Sequence, residues 1–210
     1  MTQKLSDRIM SAMEKYYSDV KPDLHYGSRY QLAVAVVLSA QTTDRQVNSV
    51  TGELFRKYPG FEQLARAKKS DVQKIIHSVG FFRNKSNNIV EMAKTVFARH
   101  AGRLPGTRDE LTALPGIGRK SANVILSMGF GVPAFAVDTH IIRIANRLGY
   151  ARVRDPRAVE DALTALIPEN KWILSHLLLI RHGRATCRAR NPLCGSCPVN
   201  ECCESPDKTC

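Results

Sequence analysis

Leu114-Pro115-Gly116-Ile117-Gly118-Arg119-Lys120 is the stretch on which the reading of this chain turns. Ahead of it, Thr107 and Glu110 have the spacing of a capping box and announce a short helix. Behind it, Ala122 to Met128 form an amphipathic stretch. The local expectation is helix, tight glycine turn, helix. Gly116 and Gly118 let the backbone pass close to another surface. The second helix presents free N–H groups at its start, and these suit a phosphate. Proline and glycine alone would fit any helix–helix turn. Lys120 sets this one apart, because the helix dipole opposes a cation in the first turn and favours the neutral, nucleophilic amine. Arg119 beside it pushes the same way. The plainer role for Lys120 is an exposed cation that binds phosphate.

Downstream stands Val137-Asp138-Thr139-His140, just before a helix beginning near Ile141. Asp138 is placed as a helix cap, where a carboxylate is stable. The run Ile141, Ile144, Ala145, Leu148 then ends at Gly149. Helical periodicity fills the rest of the chain. Leu5, Ile9 and Met13 recur every four residues; Val47, Val50 and Leu54 share a face; so do Ile89, Met92, Ala93 and Val96. Val72, Ile75, Ile76 and Val79 predict one helix, opened near Ser70 and closed by Gly80. Asp155–Pro156 reads as an N-cap with proline at the first helical position. No period-two alternation marks a strand, so the expected fold is all-α. GFGVP, Gly129–Pro133, is the best candidate for a crossing between two helical lobes. By pattern alone, Phe81 and Phe82 are core residues and Gln41 a surface cap.

The 210 residues suffice for one good core or two small ones. Lys and Arg number 31 against 19 Asp and Glu, a net charge of +12. That surplus attracts polyanions, nucleic acid first among them, with salt-sensitive binding. The first twenty residues carry charges throughout and lack the apolar core of a secretory signal. No apolar run approaches the ~18 residues of a membrane span. A soluble, intracellular (cytoplasmic) protein is expected.

All 6 cysteines lie at or after Cys187. A disulfide framework would staple distant segments, so their crowding points to metal ligation. After Gly183 helical periodicity stops, and a segment this poor in core residues needs a staple. Four thiolates suit zinc or an iron–sulfur cluster, although zinc ribbons usually show two Cys-x-x-Cys knuckles and this tail has one. Spacing alone leaves Cys202 and Cys203 open as the last ligand.

LPGIGRKSAN followed by VDTHI resembles the helix–hairpin–helix and Gly/Pro–Asp signature of the base-excision DNA glycosylases. LSAQTTD (38–44) and GFFRNKSNNI (80–89) are similar to the endonuclease III branch, and the likeness extends over nearly the whole chain. The resemblance implies two lobes, a helical domain of residues 22–132 carrying the hairpin and a cluster domain of 1–21 plus 133–210, with DNA across the cleft between them. It places the nucleophile at Lys120 and the catalytic carboxylate at Asp138. Gln41 matches the side chain that replaces the extracted base, and Phe81 an intercalating position often leucine in relatives. Leu114, Gly116, Gly118 and Arg119 fall in the DNA-binding hairpin. His140, with Ser39, is a pocket candidate.

The Cys-x6-Cys-x2-Cys-x5-Cys tail resembles the family's 4Fe–4S loop. It selects Cys187, Cys194, Cys197 and Cys203 as ligands, leaves Cys202 and Cys210 as spectators, and offers Arg188 and Arg190 to phosphates. Ala185 departs from relatives that carry a larger aromatic, and looser packing beside the cluster is expected there. The implied activity is excision of oxidised pyrimidines from double-stranded DNA, with strand cleavage at the abasic site by a monomer. The rivals are a glycosylase of other base preference and a non-catalytic DNA-binding or redox protein on the same scaffold.

Overall fold

The computed structural model describes residues 1–203 and 205–209. In chain order its α-helices are α1 (Gln3–Tyr16), α2 (Arg29–Leu38), α3 (Asp44–Lys57), α4 (Phe61–Ala65), α5 (Lys69–Ile75), α6 (Phe82–Arg99), α7 (Arg108–Thr112), α8 (Arg119–Ile125), α9 (Thr139–Arg147), α10 (Pro156–Thr164) and α11 (Trp172–Ala185). No strand occurs among the described residues, so the fold is all-α. The chain forms two compact units: residues 22–132, and residues 1–21 with the described part of 133–210. The boundary falls between Val132 and Pro133, inside GFGVP.

In the unit of residues 22–132, α2 is the central helix. Every residue from Leu32 to Leu38 is buried, so the helix is apolar on all sides and needs neighbours all round. It packs against α3, α6 and α8. Side-chain caps from Ser28 and Thr43 start α2 and α3. The long α6 turns Ile89, Met92, Ala93 and Val96 inward, with α4 and α5 against it. After Ile125 the helix widens into a π-helical turn, Leu126–Phe130, which Gly131 closes in the left-handed region. Arg29 anchors that turn: its guanidinium lies 4.1 Å from the Phe130 ring centroid, and its Nε donates to Gly129 O at 2.8 Å.

The other unit is built on Ile9 and Met13 of α1, Phe135, the Ile141–Ile144–Ala145 face of α9, Val159 and Leu163 of α10, and Leu178 and Leu179 of α11. Asp155 caps α10 ahead of Pro156, its Oδ2 accepting from Ala158 N at 2.7 Å. Gly149, at φ 81°, ends α9 as Tyr150 N reaches back to Ala145 O at 2.8 Å. Gly183 lets α11 sit on α9, for a Cβ there would lie 2.8 Å from Ile144 Cδ1.

Three local expectations are corrected. The 72–79 helix stops at Ile75, and Ile76 to Val79 form a turn. All four apolar side chains are buried regardless, because helix and turn together satisfy the same spacing. Its cap position is Lys68, with Ser70 already inside the first turn, and Gly80 is not left-handed. Phe81 is not core: it is 65% exposed, because the chain reverses there to begin α6.

Candidate functional site

The hairpin is held by backbone and packing together. Leu114 is buried, its N–H bonded to Leu111 O at 3.1 Å; Ile117 N donates in turn to Leu114 O at 3.2 Å. Gly116 has φ 81°, and a Cβ on it would lie 3.0 Å from both Asn88 Cβ and Val37 Cγ1. Glycine is thus required twice, for conformation and for the close approach to α6 and α2. Gly118 caps α8 in extended backbone, with nothing within 4 Å of its missing side chain. Arg119 and Lys120 occupy the first turn of α8, both exposed. Behind them, the buried Asn123 accepts from Arg108 Nε at 3.0 Å and ties α8 to α7. Thr107 caps α7, and its hydroxyl also meets Glu110 Oε2 at 2.5 Å.

Gln41 and Phe81 share an uncommon feature. Both are exposed and both are non-glycine residues in the left-handed region, at φ 52° and 57°. Such positions cost energy and persist where the surroundings over-determine them. Ser39 closes α2 and donates its hydroxyl to Val36 O at 2.9 Å, which accounts for it as a satisfied cap.

Asp138 is half-buried and caps α9, Oδ1 accepting from Ile141 N at 2.9 Å. His140 follows in the first turn, half-buried beneath Arg143. Arg143 Nη2 lies 3.2 Å from His140 Nδ1 and also donates to Gly183 O at 2.9 Å and Cys187 O at 3.0 Å. Burial holds His140 below its ordinary range; Asp138 opposes this and Arg143 adds to it.

Cys187, Cys194, Cys197 and Cys203 line one cavity, walled by Leu148, Pro192, Leu193 and Val199. Cys202 does not line that cavity; it lies in an adjoining groove, bordered also by Cys197, beside Lys4, Asp7 and Arg8 of α1. The spectator reading of Cys210 lies outside the described residues. Arg147 borders the cavity. Its Nη1 lies 3.5 Å from Cys187 Sγ and donates to Arg188 O at 2.7 Å, while Nε reaches Asp207 at 3.3 Å. Across the cavity, His182 Nε2 is 3.9 Å from Cys197 Sγ, and its Nδ1 meets Tyr17 Oη at 2.8 Å. Burial, then Arg143, lowers His182 to about 4, so the ring is neutral. Burial raises the Cys197 thiol, whereas hydrogen bonds from Thr209 lower that of Cys194. Arg188 and Arg190 are exposed on the loop between the first two of these cysteines. Ala185 is exposed and does not line the cavity.

Four cysteine side chains around one cavity, with Arg147 at its rim, make a donor set that suits a thiolate-bound group, zinc and an iron–sulfur cluster alike.

Sequence reasoning missed Lys85, Arg143, Arg147, Tyr17 and His182. Arg143 and Arg147 stand one turn apart on α9, a spacing visible in the sequence, yet their carbonyl partners come from a segment forty residues away.

Comparison with known proteins adds a second line. Residues 34–169 match the family described as HhH-GPD superfamily base excision DNA repair protein. An endonuclease III from Synechocystis is 42% identical over 94% of this chain and 90% of its own. One from Bacillus subtilis is 43% identical over 89% and 85%. A solved structure described as a trapped endonuclease III–DNA covalent intermediate, an estranged-adenine complex, superposes with a TM-score of 0.93. It is 39% identical and covers 97% of this chain and 96% of that one.

Proposed function

The chain belongs to the HhH-GPD superfamily of base excision DNA repair proteins and within it to the endonuclease III family, and from that premise we infer how its residues divide the work. It is a DNA glycosylase and abasic-site lyase acting on double-stranded DNA, with oxidised pyrimidines as the bases removed. The observation that carries the residue assignment is Lys120, exposed in the first turn of α8 behind a glycine turn that admits no side chain at Gly116.

The neutral amine of Lys120 attacks C1′ of the damaged nucleoside, and the C–N glycosidic bond breaks as the base leaves with a proton. Asp138 stabilises the positive charge that develops on the sugar and assists proton transfer. The sugar ring opens to a Schiff base between Lys120 and C1′. Removal of a C2′ proton then expels the 3′ phosphate by β-elimination, and water releases the amine. Extraction of the nucleotide leaves a gap in the stack. Gln41 stands in for the lost base, and Phe81 wedges the adjacent step. Leu114, Gly116, Gly118 and Arg119 seat the hairpin on the backbone, and His140 contributes a donor at the pocket.

Cys187, Cys194, Cys197 and Cys203 would hold a 4Fe–4S cluster, which would supply a structural cross-link for the loop they span. Arg188 and Arg190, exposed on that loop, meet phosphates. No helix among the described residues is long and apolar enough to cross a membrane. The place of work proposed is the cytoplasm, and the enzyme acts as a monomer.

Borohydride trapping on a duplex containing thymine glycol tests this reading, wild type against Lys120→Ala. A covalent protein–DNA adduct that disappears in the variant is the expected result. An adduct that persists removes Lys120 from its role. No adduct from DNA-binding wild type sinks the assignment for that lesion, and repetition on an abasic site separates altered base choice from loss of the lyase.

A further inference from the structure

Lys85 is the buried cation of the unit formed by residues 22–132 that the mechanism above does not use. It stands in a polar run, Arg83-Asn84-Lys85-Ser86-Asn87-Asn88, yet its side chain is only 5% exposed. Burying an ammonium costs free energy unless its donors are met. Here Nζ donates to Leu38 O at 2.8 Å and to Thr42 Oγ1 at 2.7 Å. Both oxygens are uncharged, and burial lowers the affinity of this amine for its proton.

The two acceptors have a specific placement. Leu38 is the last residue of α2, so its carbonyl is one that the helix leaves open, at the end favourable to a cation. Thr42 lies beyond the turn, one residue after Gln41. The ammonium therefore brackets the left-handed turn that presents Gln41. The backbone of the same residue serves the other element: Lys85 N donates to Phe81 O at 3.1 Å, closing the first turn of α6 on its left-handed cap. The two segments also touch directly. A Cβ on Gly80 would lie 3.7 Å from Thr42 Oγ1 and 3.8 Å from Gln41 O.

We propose that Lys85 is the positioning residue of the gap-filling apparatus, locking the Gln41 turn to the Phe81 turn so that both enter the stack as one rigid element. This rests on the roles given above to Gln41 and Phe81. It explains how two exposed side chains keep strained backbones: one ammonium is bonded on both sides of the first, and its own backbone amide is bonded to the second.

Lys85→Met keeps the length of the side chain and removes the charge and the donors. Thr42→Val removes one acceptor with little change in shape and guards against a variant that fails to fold. Excision of thymine glycol is measured on two duplexes, one with adenine opposite the lesion and one with a tetrahydrofuran site there, where extraction leaves no partner base unpaired for Gln41 to meet. Lys85→Met should lose about tenfold or more in kcat/KM on the first duplex and come within about threefold of wild type on the second. Thr42→Val should follow with a smaller loss. Gln41→Ala combined with Lys85→Met should fall no further than the worse single variant.

Equal losses on both duplexes, or full additivity, would make Lys85 merely structural and overturn the proposal. If Gln41→Ala and Phe81→Ala discriminate between the duplexes while Lys85→Met and Thr42→Val do not, the proposal alone falls. If neither Gln41→Ala nor Phe81→Ala discriminates, the gap-filling roles fall and the proposal with them.

Discussion

Arg143 Nη2 sits 3.2 Å from His140 Nδ1. That nitrogen also donates to Gly183 O at 2.9 Å, which is a backbone partner of the His140 ring as well. The same guanidinium donates to the carbonyl of Cys187, a member of the cysteine cavity. One side chain thereby ties His140 to the cysteine loop.

A pH dependence follows. Burial, with Arg143 adding to it, holds His140 below its ordinary value in the folded protein, against the opposing pull of Asp138. The unfolded chain takes up its proton first as pH falls, so acid favours unfolding. This contribution to stability is full above the ordinary histidine value near 6.5, declines as pH drops through it, and stops declining below the depressed folded value. Wild type should lose more in Tm between pH 7.5 and 5.5 than His140→Asn. Equal slopes would show that His140 does not carry a lowered affinity for protons.

The hairpin glycines should respond unequally. Gly116 is at φ 81° with Asn88 and Val37 at 3.0 Å from a prospective Cβ, whereas Gly118 is extended and faces open space. Gly116→Ala should cost about 1–3 kcal/mol, from left-handed strain plus overpacking. Gly118→Ala should cost less, about 0.5–1 kcal/mol, the penalty of alanine at a cap position. Urea unfolding of the two variants checks the contrast, and equal costs would show that α2 and α6 yield to a methyl group at Gly116.

The cysteines offer a similar contrast. Cys203 lines the cavity with three other thiols, and Cys202 lies outside it, in an adjoining groove against α1. Cys202→Ser should retain the iron content and visible absorption of wild type. Cys203→Ser should lose both, along with order in the loop, since metal binding there is folding free energy. Loss of iron in Cys202→Ser would reassign the fourth ligand.

The helices were legible because their information is local. Ile141, Ile144, Ala145 and Leu148 name the core face of α9, and Asp138 and Gly149 mark its ends, with no neighbour consulted. The Val72–Val79 run shows the limit: apolar spacing tells which side chains go inside, and backbone hydrogen bonding decides where the helix stops. Phe81, read as core by pattern, is exposed, while Lys85, which the pattern did not single out, is buried. Nothing in GFFRNK predicts this, because the oxygens that accept the ammonium belong to residues more than forty positions away. Arg143 escaped for the same reason.

Asp138 carries two duties that substitution can separate. Its Oδ1 caps α9, and its charge is the stabiliser assigned to the sugar cation. Asparagine keeps an oxygen for Ile141 N and removes the charge; alanine removes both. Asp138→Asn should therefore hold the wild-type Tm while kcat for excision drops by about a hundredfold or more, the loss of an electrostatic partner in the transition state. Asp138→Ala should lose a comparable amount of activity and, in addition, about 1 kcal/mol of stability from the missing cap. Single-turnover excision and thermal unfolding on the same preparations read the two effects independently. If Asp138→Asn were as unstable as Asp138→Ala, the cap would depend on charge rather than on the acceptor. If it kept full turnover, the carboxylate would have no part in the chemistry and α9 would begin with Asp138 for structural reasons alone.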